Sequence, residues 1–185
     1  MPLKQAPIIW FTGMSGSGKT TLSSQIKIML QQLHYCVRIV DGDDIRNNYT
    51  EKLGFNRLDV MKNNLYITQK CLDLRADCDV ILVPVISPYN QVRLEVRKRL
   101  SPNFHLIYLK ADIDSLRTRD PKGLYSSADN GLIKDLIGYS KKNPYEIPDD
   151  VELIINTSNK DSIEESRAQL FKYCETFARS AHIAS

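Results

Sequence analysis

Short runs of apolar residues alternate along this chain with stretches whose apolar residues recur every three or four positions. Ile8-Ile9-Trp10-Phe11 is the first run and ends at Thr12-Gly13. Leu22, Ile26, Met29, Leu30 and Leu33 then follow at helical spacing. Val37-Arg38-Ile39-Val40 predicts a second strand, closed by Asp41-Gly42-Asp43-Asp44. A mostly helical region extends to about Ala76, with Leu58, Met61, Leu65, Leu72 and Ala76 on one face. Val80 to Val85 predicts a third strand, stopped by Ser87-Pro88, and residues 91 to 99 read as a helix. Leu106 to Leu109 and Leu153-Ile154-Ile155 predict strands four and five, and Ile163, Leu170, Cys174 and Phe177 mark a closing helix. Residues 120 to 148 break the rhythm. Rich in Pro, Gly and polar side chains, they predict a long, partly helical lid.

Alternating β and α segments with near-continuous apolar strands imply a parallel sheet of about five strands, covered by helices on both faces as an αβα sandwich. Ligands of such sheets bind beyond the carboxyl ends of the strands. The polar clusters after strands one, two and three fall at those ends, so the pattern alone gathers them.

Composition narrows the class. The 185 residues fit one domain spanning 1–185 with its lid. A hydrophobic share of 42% suits a soluble globular protein with a proper core. A net charge of +3 is too small to argue for nucleic acid or membrane. No apolar stretch nears the ~20 residues of a membrane span, and Met1 to Pro7 carries no signal core, so the expected location is the cytoplasm. Cys36, Cys71, Cys78 and Cys174 form no C-x-x-C pair and are expected to be reduced. Arg93, Arg97, Lys98 and Arg99 read as a solvated helix face. His34, His105 and His182 have no motif around them.

The strongest chemical signal is Gly13-Met14-Ser15-Gly16-Ser17-Gly18-Lys19-Thr20, which matches G-x-x-x-x-G-K-S/T in full. The glycines let successive backbone N–H groups point inward at phosphate oxygens, and the helix that follows adds the positive end of its dipole. Lys19 is expected to reach the β- and γ-phosphates, and Thr20 to ligate Mg²⁺. A strand before and a helix after complete the context of a P-loop, so ATP·Mg²⁺ is the expected cosubstrate. Strand three ends without an Asp, so Asp41 and Asp43 after strand two must supply the metal-side charge. A guanine-specifying N-K-x-D is only approached by Asn159-Lys160-Asp161, where Asp161 or Ser162 reads better as a helix N-cap. These features favour a small-molecule kinase over a switch GTPase.

Several separate blocks resemble the adenylylsulfate kinases, which phosphorylate the ribose 3′-hydroxyl of adenosine 5′-phosphosulfate. They are Phe11-Thr12-Gly13 to Thr21, Asp41-Gly42-Asp43-Asp44-Ile45-Arg46, Leu53-Gly54-Phe55, Ile86-Ser87-Pro88-Tyr89, Arg119 to Tyr125, and Pro144-Tyr145-Glu146-x-Pro148. The resemblance runs from about Ile8 to Thr157. It implies that Asp43 accepts the proton of the acceptor hydroxyl or holds the metal, with Asp41 beside it. Arg46 and Asn63 would grip the acceptor, Phe55 would stack on its base, and Ile86 and Leu124 would line its pocket. Ser87 matches a serine described in the family as a phosphoserine intermediate, although direct in-line transfer needs no such nucleophile. Arg119 and the lid would close over the nucleotide, with Lys122 near the transferred phosphate. A homodimer is a further implication of the likeness.

The departures lie on the acceptor side. Where the family reads D-R-x-E-N-I-R-R, this chain has Asp59-Val60-Met61-Lys62-Asn63-Asn64-Leu65-Tyr66, so an arginine is replaced by Val60. Leu136-Ile137-Gly138 stands for F-T-G, Ser126-Ser127 for paired lysines, and Asn90 for an arginine. A lost base–aromatic stack is worth roughly 1–3 kcal/mol, and a lost charge-assisted hydrogen bond about as much. The leading expectation is an adenylylsulfate kinase. The alternatives are a kinase of the same build with another nucleotide acceptor, such as a cytidine-type one, and a non-catalytic nucleotide-binding module.

Overall fold

A computed structural model describes residues 5–47, 53–54, 56–158 and 163–183. Five strands, β1 (Ile8–Thr12), β2 (Val37–Ile39), β3 (Val80–Pro84), β4 (Phe104–Lys110) and β5 (Leu153–Asn156), form one parallel sheet in the order β2-β3-β1-β4-β5. The apolar runs explain why β1 lies in the middle. All five of its residues are buried, because successive side chains point to opposite faces and both faces are covered. Ile8 and Trp10 join one core with Val60, Ile67, Ile81, Val83, Val92 and Val96. Ile9 and Phe11 join the other with Leu22, Ile26, Leu82, Ile107, Leu109 and Leu170.

The helices divide between these cores. α1 (Lys19–Gln32) packs with α7 (Ile163–Ile183), and α3 (Arg57–Leu74) packs with α4 (Asn90–Leu100). The short α2 (Gly42–Asn47) follows β2 directly and leans on α3. Its opening glycine has a steric cause. A Cβ on Gly42 would stand 2.7 Å from the Val85 side chain beyond β3, so any other residue would push the two strand ends apart. Elsewhere side chains cap the helices. Asn56 Oδ1 accepts from the Asp59 amide at 2.9 Å to start α3.

Residues 120–148 are partly helical, as expected. They contain α6 (Leu124–Asp129) and continue in turns. α5 (Ile113–Arg119), just before them, was not foreseen. Asp112 caps it by accepting from the Ser115 amide at 2.7 Å, and this bond, with those from Ser158 and the Ser115 hydroxyl, holds its carboxyl down at about 2. The proposed cap of the closing helix, Asp161 or Ser162, and the Asn159-Lys160-Asp161 triplet lie outside the described residues. Cys71, Cys78 and Cys174 are buried and Cys36 is exposed, all as free thiols.

One expectation is corrected. Arg93 does not belong to a solvated face but is 3% exposed. Its guanidinium donates to the carbonyls of Ser87 and Glu146, both at 2.5 Å, and to Asn90 Oδ1. It also lies 5.6 Å from the ring centre of Tyr145. Arg97 is half-buried and paired with Glu152 at 2.5 Å. Charge counting along the helix misses this, because one carbonyl that receives Arg93, that of Glu146, comes from the lid more than fifty residues away.

Removing that guanidinium leaves the Glu146 carbonyl without this donor and the Ser87 carbonyl with Thr12 alone. Arg93→Ala is expected to lower unfolding stability by about 2–4 kcal/mol, since each charge-assisted bond contributes about 1.5–3 kcal/mol before relaxation. Urea unfolding followed by circular dichroism measures it, and a change within error of zero would contradict the buried placement.

Candidate active site

The P-loop lies between β1 and α1, where β3 flanks β1 on one side and β4 on the other. This is the topological switch point at which such sheets bind ligands. Gly18, the N-cap of α1, sits at φ +90, which a residue with a Cβ adopts only under strain. Tight backbone curvature brings the Lys19 ammonium back over its own loop. It donates to the carbonyls of Gly13 at 2.7 Å and Met14 at 2.8 Å. Burial lowers its pKa to about 8, against the opposing attraction of Asp43.

The loop is held from outside. Arg119 donates to the Gly16 carbonyl at 3.3 Å and to those of Thr157 and Ser158 beyond β5. Thr157 Oγ1 donates to the Ser17 carbonyl at 3.1 Å, and the Tyr125 hydroxyl to that of Ser15 at 2.7 Å. These contacts hold the loop's carbonyls outward, and within the loop the Ser17 amide donates to the Met14 carbonyl at 3.2 Å.

A cavity of about 930 Å³ opens beside the loop. On the nucleotide side it is lined by Ser15 through Thr21 and Arg119, and on the other by Asp41, Asp43, Arg46, Asn63, Ile86, Lys122 and Leu124. Most of the residues singled out in the sequence therefore meet at one surface. Gly13 and Met14 lie behind it, where Gly13 fits closely against the Leu109 carbonyl and Met14 packs against the lid cluster. Phe55 lies outside the described residues.

The carboxylates divide their partners differently from the expectation. Thr20 Oγ1 donates to Asp41 Oδ2 at 3.1 Å, whereas Asp43, expected as the metal ligand beside Thr20, is paired with Lys122 of the lid at 2.5 Å. Asp41 also accepts from the Asp43 amide at 2.8 Å, which fixes its carboxylate toward Thr20. A hydroxyl and carboxylate oxygens form a hard donor set that suits Mg²⁺. Among the described residues no three His, Cys, Asp or Glu side chains gather into a metal cluster.

Ser87 is wholly buried, and its hydroxyl has no hydrogen-bond partner among the described residues. It does not line the cavity. Its backbone sits at φ +40, and its carbonyl is gripped by Arg93 at 2.5 Å and Thr12 at 3.2 Å. In this arrangement the residue shapes the turn after β3, and the hydroxyl has no open path to a phosphate.

Other cavity residues were not assigned a role from the sequence: Asn64, Ile133, Asp135 and Thr157. Thr157 could have been found by asking which polar residues follow each parallel strand. Val60, Leu136 and Ile137, noted as departures or beside one, also line the cavity and are at most 9% exposed. Tyr145 anchors the lid. It stacks on Tyr108 with ring centres 5.9 Å apart and bonds Thr12 at 2.8 Å, while Glu146 accepts from the Asn90 amide at 2.6 Å.

Comparison with known proteins gives a concordant result. The family model described as "Adenylylsulphate kinase" matches residues 5–156. The adenylyl-sulfate kinase of Clostridium kluyveri is 36% identical over 159 residues, covering 85% of this chain and 78% of that protein. That of Staphylococcus haemolyticus is 38% identical over 168 residues, covering 90% and 82%. Among solved structures, the Mycobacterium tuberculosis APS kinase in complex with AMPPNP and APS superposes with a TM-score of 0.83 at 28% identity, covering 92% of this chain and 98% of that one. A gluconokinase from Sinorhizobium meliloti, at a TM-score of 0.61 and 16% identity, shares the fold, with 94% of this chain and 95% of that chain covered.

The lowered pKa of Lys19 has a measurable consequence. Below about pH 7 the ammonium is already protonated; near pH 8 about half of it is not, and a bound triphosphate draws the proton back on. ATP·Mg²⁺ binding should therefore take up protons, with the uptake growing from pH 7 to pH 8.5. Calorimetry in two buffers of different ionisation enthalpy measures this number, and proton release would overturn the assignment.

Proposed function

Since the chain belongs to the adenylylsulfate kinase family, we propose that it transfers the γ-phosphoryl group of ATP to the 3′-hydroxyl of adenosine 5′-phosphosulfate. The products are ADP and 3′-phosphoadenosine 5′-phosphosulfate. The observation that carries this reading is the convergence of Lys19, Thr20, Asp41, Asp43 and Lys122 on one cavity of about 930 Å³. A pocket of that size suits two nucleotides set tail to sugar.

Binding begins with the loop amides around the β- and γ-phosphates. Lys19 exchanges the Gly13 and Met14 carbonyls for phosphate oxygens of higher charge. Thr20 and Asp41 are the residues that would hold Mg²⁺. Bound there, the ion supplies neutralisation of charge on the phosphate oxygens. Arg119 keeps the loop in shape from behind.

Asp43 is the base. As the acceptor enters, Lys122 leaves Asp43 for the transferring phosphoryl group, and the freed carboxylate takes the proton of the 3′-hydroxyl. The hydroxyl oxygen forms its bond to the γ-phosphorus while the bond from that phosphorus to the β–γ bridging oxygen breaks, and ADP departs with the electron pair. Because the Asp43–Lys122 pair is more than half exposed on both sides, it is weak enough to exchange partners. Transfer is direct and in line. No step passes through Ser87, which is buried and absent from the cavity wall.

Three variants test this division of labour in a coupled assay with adenosine 5′-phosphosulfate. Lys19→Ala should abolish transfer. Asp43→Asn should lower kcat by about 10²–10⁴, the usual worth of a general base, while ATP still binds. Ser87→Ala should retain turnover, and its complete inactivity would restore the covalent route. Undiminished kcat in Asp43→Asn would remove Asp43 as the base.

A further inference from the structure

Thr12 closes β1, directly precedes the P-loop and is wholly buried. Its hydroxyl has three neighbours: the Ile86 carbonyl at 2.7 Å, the Ser87 carbonyl at 3.2 Å and the Tyr145 hydroxyl at 2.8 Å. A hydroxyl has one hydrogen to give, and a carbonyl can only accept. That hydrogen goes to the nearer carbonyl, Ile86, since Arg93 already serves Ser87 at 2.5 Å. The Tyr145 hydroxyl is therefore the donor to Thr12. Burial pushes the Tyr145 phenol up, so it keeps the hydrogen it gives. One oxygen thus joins the root of the loop, the turn after β3 and the lid.

What Tyr145 holds reaches the cavity. Its ring stacks on Tyr108, which pairs with Thr12 across β1 and β4, with the planes 18° apart. Just ahead of it the lid turns back on itself, and the Gly138 amide donates to the Asn143 carbonyl at 2.7 Å. Gly138 sits at φ +82, and a Cβ there would lie 3.5 Å from Tyr145 Cβ and 3.6 Å from both Ile86 Cδ1 and Met14 Cγ. Lid, cavity wall and P-loop pack together at this glycine. Ile86, Leu136 and Ile137 line the cavity, whereas Thr12 and Tyr145 are not among the lining residues.

We infer that Thr12 is a positioning residue for the transfer. By receiving the hydrogen bond of Tyr145 and giving one to the Ile86 carbonyl, its hydroxyl fixes the lid and the Ile86 wall relative to the P-loop. The inference rests on the proposed kinase reaction and adds to it a residue that touches neither substrate. A shift of that wall against the loop is a shift of the acceptor oxygen against the γ-phosphorus. In-line transfer is sensitive to it, since misplacement by about 1 Å can lower a rate about a hundredfold.

Three substitutions test the connection. Tyr145→Phe removes one hydroxyl and leaves the stacked ring, Thr12→Val removes the shared oxygen, and Thr12→Ser keeps it. Steady-state kinetics with adenosine 5′-phosphosulfate should show kcat/KM for the acceptor about tenfold lower in the first two, with KM for ATP within about twofold of wild type. Thr12→Ser should stay within about threefold. Because both losses act through one bond, the double variant should be at most about twofold worse than Thr12→Val, and losses that multiply overturn the inference. Hydrogen exchange read by mass spectrometry gives a second measure. Amides of residues 136–147 should exchange about fivefold faster in Tyr145→Phe, while those of β1 and β3 hold. The inference is also overturned if that exchange is unchanged. It is overturned again if exchange quickens while kcat/KM for the acceptor stays within about threefold of wild type, which makes the contact structural only. Tyr145→Phe alone decides both points, so neither depends on Thr12→Val folding. A wild-type protein that does not turn over adenosine 5′-phosphosulfate defeats the proposed reaction, and the exchange measurement then decides whether Thr12 seats the lid.

Discussion

A triphosphate tail brings several negative charges into a cleft, and the protein must meet them with groups already in place. Lys19 does so at a cost in its own solvation: it is tucked against the Gly13 and Met14 carbonyls, which stand where phosphate oxygens would later compete for it. That placement needs a loop bent through positive φ, a strand buried on both faces beneath it, and a helix starting directly after it. The order of the sheet follows from the same need. With β1 central, the residues after β2, β3, β4 and β5 converge on the loop, and Asp41, Ile86, Arg119 and Thr157 come within reach of it.

The lid is fastened unequally. At its C-terminal end Tyr145 stacks on Tyr108, bonds Thr12 and lies beside Arg93, all of them largely enclosed. Burial there makes each bond costly to leave unmade. Near its N-terminal end the link from Lys122 to Asp43 is exposed, and exposed ion pairs contribute only about 0–1 kcal/mol. The Lys122 latch can therefore exchange partners, while Tyr145 and the buried Tyr125, which bonds the Ser15 carbonyl at 2.7 Å, keep the segment seated on the core. Between the two ends Leu136 and Ile137 supply an apolar surface to the cavity. Leu136 does so without the quadrupole of an aromatic ring.

The two halves of the cavity obey different physics. On the P-loop side charge is met by charge and backbone amides. On the α3 side the wall is uncharged: Val60, Asn63 and Asn64 line it and are at most 3% exposed.

Much of this was legible in the chain itself. Strand and helix periods, the spacing of glycines before Lys19, and the position of Asp41 and Asp43 after an apolar run are local facts, and local sterics and hydrogen bonding determine them. The five strands and the site at their carboxyl ends followed from those patterns. Tertiary structure alone decided what depends on distant partners. Arg93 is buried because lid and turn carbonyls close around it; Asp41 rather than Asp43 meets Thr20 because α2 turns one toward α1 and leaves the other to Lys122. Ser87 is sealed off because Thr12 and Arg93 hold its carbonyl. Burial and pairing are properties of the packed whole, set by residues tens of positions apart, and no window along the sequence contains them.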